Sequence, residues 1–155
     1  MGVTIDYKLT GRGWAECRIE IGDQTATVSA SYLSDALGDL VFAAARLAEG
    51  SSGETVSFAE EPGEFRWRFS LRAPDRLLVR IKFFRDTFSK LSDGKGKTVF
   101  EAECRLRTFC GAVLSASQNI MKTYGAEGYR AEWVNNDFPI RQQERLKAAL
   151  DQEPE

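Results

Sequence analysis

The sequence predicts an α+β protein: a two-layer sandwich in which a mainly antiparallel sheet of about six to seven strands carries two main helices on one face and a short C-terminal helix. Two observations predict it. Apolar and polar residues alternate through the first thirty positions and again through the middle of the chain, which is typical of half-buried strands. Two other segments carry apolar residues at helical spacing.

The composition is typical of one folded domain. The 155 residues are 43% hydrophobic and 28% charged, which excludes a disordered chain. We expect a single domain over residues 1–150 and a frayed tail over residues 151–155. No apolar run approaches the roughly 20 residues that span a bilayer, and the N-terminus lacks the apolar centre of a signal peptide. We therefore expect a cytoplasmic protein with no membrane partner.

Charge and residue types exclude several function classes. The net charge is −2 and the pI is near 5.4, which argues against general attraction to nucleic acid. The chain has no histidine, which excludes Ser–His and Cys–His nucleophiles and the commonest zinc and iron ligands. Its three cysteines, Cys17, Cys104 and Cys110, form no CxxC pair, so we expect free thiols, no zinc site and no cofactor.

Three strands open the predicted sheet. Residues 3–9 and 15–21 alternate apolar and polar side chains. Gly22-Asp23 predicts a two-residue hairpin turn into the third strand. This turn sets Ile19 opposite Ala26, and the apolar faces of the two strands then match.

The first helix follows. Ser31 or Ser34 can cap its N-terminus, with Asp35 in the favourable first turn. Apolar residues recur at helical spacing as far as Ala48, and Gly50 is a good C-terminal stop.

The middle of the chain predicts further strands. Residues 61–64, Glu-Pro-Gly-Glu, have the signature of a type II turn, because Gly supplies the positive φ that this turn needs. Residues 65–71 and 77–83 place their aromatic and aliphatic side chains on one face. Matching these two inward faces requires an odd-numbered loop of about three or five residues. A long connection over residues 85–96 precedes the last strand.

The C-terminal third combines a strand with helices. Residues 100–107 alternate like a strand, and Thr108 can then cap a second helix that ends at Gly125. Residues 129–134 predict a short strand, and Pro139 suits the first turn of a final helix.

Two short motifs could indicate a chemical function, but each also has an ordinary structural explanation. Gly96-Lys97-Thr98 matches the end of a phosphate-binding loop, but Leu91 stands where that loop needs glycine, so we interpret the triplet as part of a hairpin loop. Cys110 falls early in the second helix near Arg105 and Arg107, which would lower its pKa and make the thiolate reactive. The alternative is a packed, inert thiol.

Acidic residues form two groups. Asp35 and Asp39 lie four apart on the first helix, and Glu60, Glu61 and Glu64 surround the Pro-Gly turn. Their oxygens are the ligands that calcium and magnesium prefer. Neither group has calcium-loop spacing, so we interpret both as a solvated acidic rim and expect no metal.

The best candidate site is a basic strand face. Seven cationic side chains project away from the predicted core: Arg66, Arg68, Arg72, Arg80, Lys82, Arg105 and Arg107. Glu64, Glu101 and Glu103 share that face, so seven positive less three negative charges leave +4. Like charges directly opposite on a hairpin are destabilising. Either Glu101 and Glu103 relieve them on an ordinary solvated face, or the face binds anions or an acidic partner through the forked donors of arginine.

Outward apolar side chains define a second candidate surface. Trp14, Leu78 and Phe84 fall on the outward phase of their strands, whereas Trp67 and Phe69 fall inward and belong to the core. An exposed patch that joined the three outward side chains would indicate a partner or dimer surface, and a homo-oligomer stays open.

Three segments carry a resemblance to other proteins. They are Ser31-Tyr32-Leu33-Ser34-Asp35-Ala36-Leu37-Gly38-Asp39-Leu40, Glu61-Pro62-Gly63-Glu64-Phe65-Arg66-Trp67, and the spaced Tyr124-Gly125, Gly128-Tyr129, Trp133 and Phe138-Pro139. The chain resembles small uncharacterised bacterial α+β proteins, which are similar in size and strand–helix alternation to the immunity partners of secreted toxins. The resemblance covers most of the chain and implies no activity and no catalytic residues.

The sequence therefore predicts a non-enzymatic protein-binding module, similar to immunity proteins, that acts through its charged sheet face. The alternatives are a small-molecule or anion-binding protein, an enzyme that works without histidine in an Arg/carboxylate cleft, or a homo-oligomeric structural protein. A deep pocket joining Arg to a desolvated carboxylate would favour the cleft, and a flat charged face would favour the binding module.

Overall fold

The computed structural model describes residues 2–86 and 90–152 and contains seven strands and three α-helices in that part of the chain. Their bounds are β1 Val3–Gly11, β2 Trp14–Ile21, β3 Gln24–Ser31, α1 Ala36–Ala48, β4 Gly53–Ala59, β5 Glu64–Ala73, β6 Arg76–Phe84, β7 Lys97–Cys104, α2 Leu106–Trp133 and α3 Ile140–Asp151. A 3-10 turn, Asp93–Lys95, lies between β6 and β7. Residues 87–89 of the long predicted connection, and residues 153–155 of the predicted tail, lie outside the described residues.

The strands form two antiparallel sheets rather than the single sheet that the alternation predicts. One sheet has the order β1-β2-β3 and the other the order β4-β5-β6-β7. Because α1 lies between β3 and β4 in the chain, no hairpin links the two sheets. Strand β3 contacts β4 and β7 of the other sheet, while α1 packs on β4 and α2 on β1. The α+β class and the antiparallel pairing are confirmed, but the prediction of one sheet of about six to seven strands is wrong.

One hydrophobic core joins both sheets and all three helices. Ile19 and Leu37 are fully buried in it, and so is Trp67 of β5. The ring of Phe69 lies 5.3 Å from the ring of Phe109, which connects the four-stranded sheet to α2. Each buried side chain of this size contributes about 1.5–3 kcal/mol, so the shared core holds the two sheets together without strand pairing.

The second hairpin has the predicted register. Across the Gly22-Asp23 turn, Ile19 pairs with Ala26 and Cys17 with Val28. Ile19, Cys17 and Val28 are at most 1% exposed. A slip of one residue would turn all of these side chains to solvent, which is why the alternation determines the register.

The N-cap of helix α1 lies four residues after Ser31 and one residue after Ser34, the two predicted caps. This N-cap residue is Asp35, whose carboxylate accepts a hydrogen bond from the amide three residues on at 3.2 Å. Ser31 is buried, and Ser34 instead accepts a hydrogen bond from the Ala59 amide at 3.1 Å, which joins the start of α1 to the end of β4. The predicted stop is confirmed, since Gly50 follows the helix with φ +117°.

Two turns in the four-stranded sheet differ from the expected types. The Glu61–Pro62 peptide is cis and Gly63 has no positive φ, so the turn between β4 and β5 is not type II. The β5–β6 loop contains two residues, Pro74-Asp75, rather than an odd number. A bulge at Arg72 supplies the extra residue, and the inward faces of β5 and β6 still match.

The start of α2 differs from the prediction because of a distant residue. Strand β7 ends at Cys104 and the helix begins at Leu106, so Arg105 and not Thr108 is its N-cap residue. The carboxylate and carbonyl of Asp75, on the β5–β6 turn, accept hydrogen bonds from the first amides of the helix. The local alternation of residues 100–107 carries no sign of this contact.

The end of α2 replaces the short strand predicted over residues 129–134. Gly125, with φ +69°, interrupts the helix, but the chain then resumes its helical course. Tyr129 and Trp133 lie four positions apart and are both fully buried, as residues on one face of a helix are. The predicted final helix is confirmed as α3, with Pro139 at its N-cap.

Tyr129 provides a test of the core. Its buried hydroxyl has no hydrogen-bond partner among the described residues, whereas the buried Ser117 hydroxyl donates to the Leu114 carbonyl at 2.8 Å. We expect Tyr129→Phe to leave the free energy of unfolding unchanged or higher, and Ser117→Ala to lower it by about 1 kcal/mol. Urea unfolding measures both. A loss above about 1 kcal/mol for Tyr129→Phe would show that its hydroxyl is hydrogen-bonded in solution.

Candidate functional site

The outer face of the four-stranded sheet, meaning the side turned away from the core, holds four of the seven predicted basic residues. Arg66 and Arg68 lie on β5, and Arg80 and Lys82 lie on β6. The register places Arg66 opposite Lys82 and Arg68 opposite Arg80. Residues directly opposite on antiparallel strands have Cβ atoms about 4.5–5.5 Å apart, so two pairs of like charges meet here. Acidic groups must therefore neutralise this face.

Asp93, in the connection between β6 and β7, supplies the central negative charge. Its Oδ1 lies 2.9 Å from Nη1 of Arg66, and its Oδ2 lies 3.1 Å from Nε of Arg68. Its main-chain carbonyl accepts a hydrogen bond from Lys82 Nζ at 2.9 Å. Three cations from two strands thus converge on one residue, and Arg66, Arg68 and Lys82 are termed the cation cradle.

Arg66 is the most enclosed member of the cation cradle. Its side chain is 13% exposed, and that of the neighbouring Glu64 is 4% exposed. Glu64 Oε2 accepts hydrogen bonds from Arg66 Nε at 3.3 Å and from Ser57 Oγ at 2.5 Å. The guanidinium of Arg66 also lies 4.1 Å from the centre of the Phe84 ring. Arg66 therefore belongs to the packed structure rather than to an open binding surface.

Arg68 and Arg80 form the open part of the outer face, with side chains 55% and 37% exposed. Arg80 Nε lies 2.5 Å from Oε1 of Glu101, which confirms the expected relief by this residue. Arg68 donates to the Thr55 hydroxyl. Glu103 makes no ion pair with any described residue. Both arginines are thus oriented by contacts but remain accessible to a partner.

The remaining three predicted residues lie away from this cluster. Arg72 occupies the bulge near the end of β5 and is exposed. Arg105 and Arg107 do not extend β7 as predicted, because the chain turns into α2 after Cys104. Arg105 is the N-cap residue of that helix, and Arg107 lies in its first turn. The seven residues therefore do not form one continuous surface.

Asp75 organises the start of α2. Its Oδ1 accepts a hydrogen bond from the Arg107 amide at 3.1 Å, and its Oδ2 accepts one from Arg105 Nε at 2.8 Å. Burial tends to raise the pKa of Asp75, but the hydrogen bonds from Arg105 and from the Arg107 amide outweigh it and lower that pKa. The ionised carboxylate is the cap of the helix, supplied by the β5–β6 turn.

A cleft of about 520 Å³ opens beside this cap and is lined in part by Arg105, Arg107 and Leu71. It is the Arg/carboxylate cleft that an enzyme working without histidine would need. Its carboxylate, Asp75, has a lowered pKa, whereas a general acid or base needs a pKa near the working pH. Arg107 is also engaged, since it donates to the Leu150 carbonyl. This geometry does not favour acid–base catalysis.

Cys110 is packed and not activated. The side chain is fully buried, and its Sγ lies 3.4 Å from the Ala44 carbonyl oxygen to which it donates. Burial raises the pKa of the thiol to about 12, the opposite of the lowering that a reactive cysteine needs. Cys17 and Cys104 are likewise buried and free. Of the two explanations for Cys110, the structure favours the packed thiol.

Two of the five acidic residues have structural roles, and Glu64 is buried rather than part of the solvated rim that the sequence predicts. Asp35 caps α1, and Glu64 binds Ser57 and Arg66. Over residues 2–86 and 90–152, no group of three or more His, Cys, Asp or Glu side chains is placed to hold a metal ion. In the same part of the chain, no helix is both long enough and apolar enough to cross a membrane.

The outward apolar side chains do not join into one patch. Leu78 and Phe84 are only 8% and 3% exposed, whereas Trp14 is 36% exposed. Tyr32, whose amide donates to the Gly13 carbonyl at 2.8 Å, is 37% exposed. The three predicted side chains therefore do not form an exposed patch, because two of them are buried.

Sequence reasoning missed two residues that organise the site, Asp93 and Asp75. Both stand in segments that have the composition of ordinary turns, residues 92–96 and 73–75, where Asp is common for local reasons. No local signal marks either as a partner of distant cations. The net charge of +4 on the predicted strand face was one indirect signal, because like charges on paired strands require acidic residues from other segments nearby.

Comparisons with known proteins bear on the fold. No model of a known protein family matches the sequence, and no curated protein matches it. Among solved structures, a chain of the CdiA-CT/CdiI toxin and immunity complex from Enterobacter cloacae is similar, with a TM-score of 0.50 over 75% of this chain and 99% of that chain. The two sequences are 10% identical, so the likeness is one of fold alone.

The different enclosure of Arg66 and Arg68 predicts different costs of substitution. Arg66→Met should lower the free energy of unfolding by about 3 kcal/mol, because it removes the cation beside the buried Glu64. Arg68→Met, the same replacement two positions away, should change it by less than about 1 kcal/mol, because that side chain is 55% exposed. Urea unfolding followed by circular dichroism measures both. Equal losses would contradict the assigned roles.

The lowered pKa of Asp75 predicts that part of the free energy of unfolding depends on pH. Its pKa is lowered by folding, so the ionised cap stabilises the fold above the unfolded pKa near 3.9, and the gain is lost as pH falls through the folded value. Asp75→Asn should cost about 1 kcal/mol at pH 7, and the difference from the parent protein should shrink below about pH 4. Asp23→Asn, in the exposed β2–β3 turn, is the control. An Asp75→Asn loss that stays constant into strong acid would contradict the assignment.

Proposed function

We propose that the protein is a non-enzymatic protein-binding module, similar in role to toxin-immunity proteins, that binds its partner through the outer face of the four-stranded sheet. The observation that carries this proposal is the Arg68–Arg80 pair. The two side chains are exposed, lie directly opposite each other, and are oriented by Asp93 and Glu101. An open, charged and preorganised face suits a protein partner, whereas small molecules usually occupy concave, mostly apolar pockets.

Two further observations support the proposal. The similar solved chain comes from a complex of two proteins, a toxin and its immunity protein. The chain has no histidine, and the carboxylate in its arginine cleft is an ionised helix cap. Both favour binding over catalysis as the role of the charged residues.

A second candidate function is anion binding in the cleft at the start of α2. Arg105 and Arg107 line this cleft, and the helix N-terminus adds a partial positive charge. Asp75 and the Leu150 carbonyl already accept hydrogen bonds from these residues, so a ligand would have to compete with both. The outer face is the stronger candidate for this reason.

Affinity capture of the tagged protein from its native lysate tests the proposal. We expect one stoichiometric partner, identified by mass spectrometry and lost as salt rises, because screening weakens a charged interface. Arg68→Glu combined with Arg80→Glu should abolish the capture. The matched control combines Lys8→Glu with Arg18→Glu, two exposed positions on the three-stranded sheet, and should retain it.

The immunity role adds a sharper outcome to this experiment. Expression of the captured partner alone should slow cell growth, and co-expression with this protein should restore it. No partner at any salt concentration would contradict the binding module. A partner that the Arg68→Glu, Arg80→Glu variant still holds would contradict the assigned surface.

A further inference from the structure

The cation cradle already holds a carboxylate. Residues two apart on one strand lie about 6.6 Å apart on the same face, so Arg66 and Arg68 can grip one carboxylate between them. Asp93 fills that position, with one oxygen on each arginine at 2.9 and 3.1 Å. Charge-assisted hydrogen bonds of this kind are specific for carboxylates and phosphates. The carboxylate of Asp93 therefore shows which chemical group the cation cradle binds.

The gripped carboxylate is accessible from solvent. The Asp93 side chain is 32% exposed and that of Arg68 is 55% exposed. The backbone of Asp93 has a separate attachment, since its carbonyl accepts the hydrogen bond from Lys82. Rotation of the Asp93 side chain would free Arg68 without breaking that attachment. An incoming carboxylate can then pair with Nε of Arg68 in place of Asp93 Oδ2.

We propose that Arg68, the exposed member of the cation cradle, receives an acidic side chain of the protein partner, and that Asp93 occupies this place until the partner binds. The inference rests on the proposed function and names the chemistry of its partner: an acidic segment of a protein. Only molecules whose site is free of Asp93 can bind the partner, so the apparent Kd is the intrinsic Kd divided by the free fraction. Removal of this internal competitor should therefore raise the apparent affinity.

An apolar side chain at the rim supports a protein segment as the partner. Leu91 is 55% exposed, and its carbonyl accepts a hydrogen bond from Arg66 at 2.8 Å. Apolar contacts beside a charged anchor are typical of protein interfaces. Tight binding of nucleic acid needs many phosphate contacts, which a chain with a net charge of −2 and two open arginines on this face does not offer.

Fluorescence anisotropy with a short labelled peptide of Asp and Gly residues around a central Leu tests the proposal. Asp93→Asn should tighten peptide binding by roughly three- to tenfold, because it removes the competing carboxylate. Asp23→Asn makes the same change of charge on the three-stranded sheet and should leave binding within about twofold. Arg68→Gln should weaken binding by roughly tenfold or more. Circular dichroism melts of each variant verify that the fold is retained.

Two outcomes would overturn the proposal. Weaker or unchanged peptide binding by Asp93→Asn would mean that Asp93 only stabilises the folded chain. A single-stranded oligothymidine that binds through Arg68 more tightly than the acidic peptide would assign the cradle to nucleic acid.

Failure of this proposal can be distinguished from failure of the proposed function. If a captured protein partner binds Asp93→Asn and Arg68→Gln as tightly as the parent protein, the cradle assignment fails while the binding module stands. If the acidic peptide behaves as expected and no protein is captured, the assigned role as a binding module fails while the chemistry of the cradle stands.

Discussion

The register of β5 against β6 is the constraint on which the rest of the four-stranded sheet depends. The inward residues, such as Trp67 and Phe69, are each worth about 1.5–3 kcal/mol when buried, whereas a cross-strand charge pair changes stability by only about 0.2–1 kcal/mol. The core therefore decides the register, and Arg68 lies opposite Arg80 as a consequence. The outer face adapts with acids from elsewhere, of which Asp93 is the central one.

The same hairpin organises the helical side of the protein. Its turn carries Asp75, whose carboxylate caps α2 from about thirty positions away in the chain. Helix α2 then returns over β1, and its last turns bury Tyr129 and Trp133 in the shared core. One β-hairpin thus determines both where the cations of the outer face stand and where the long helix begins.

Burial divides the basic residues into different roles. Arg66 is enclosed by Glu64, Phe84 and Asp93 and holds a loop on the sheet. Arg105 serves the cap of a helix. On the sheet face, Arg68 and Arg80 are both oriented and open, whereas Arg105 is exposed but lies apart from them at the start of α2. A count of cations at alternate positions therefore overstates the size of the surface.

The sequence by itself determined the features that arise within short segments. The Gly22-Asp23 hairpin, α1 with its stop at Gly50 and the final helix were all predictable, because alternation, helical spacing and turn residues act locally. The tertiary structure alone decided the division into two sheets, the helical course of residues 129–134 and the role of Asp93. Each of these depends on burial or charge shared between segments far apart in the chain, and the local pattern of either segment contains no record of the other.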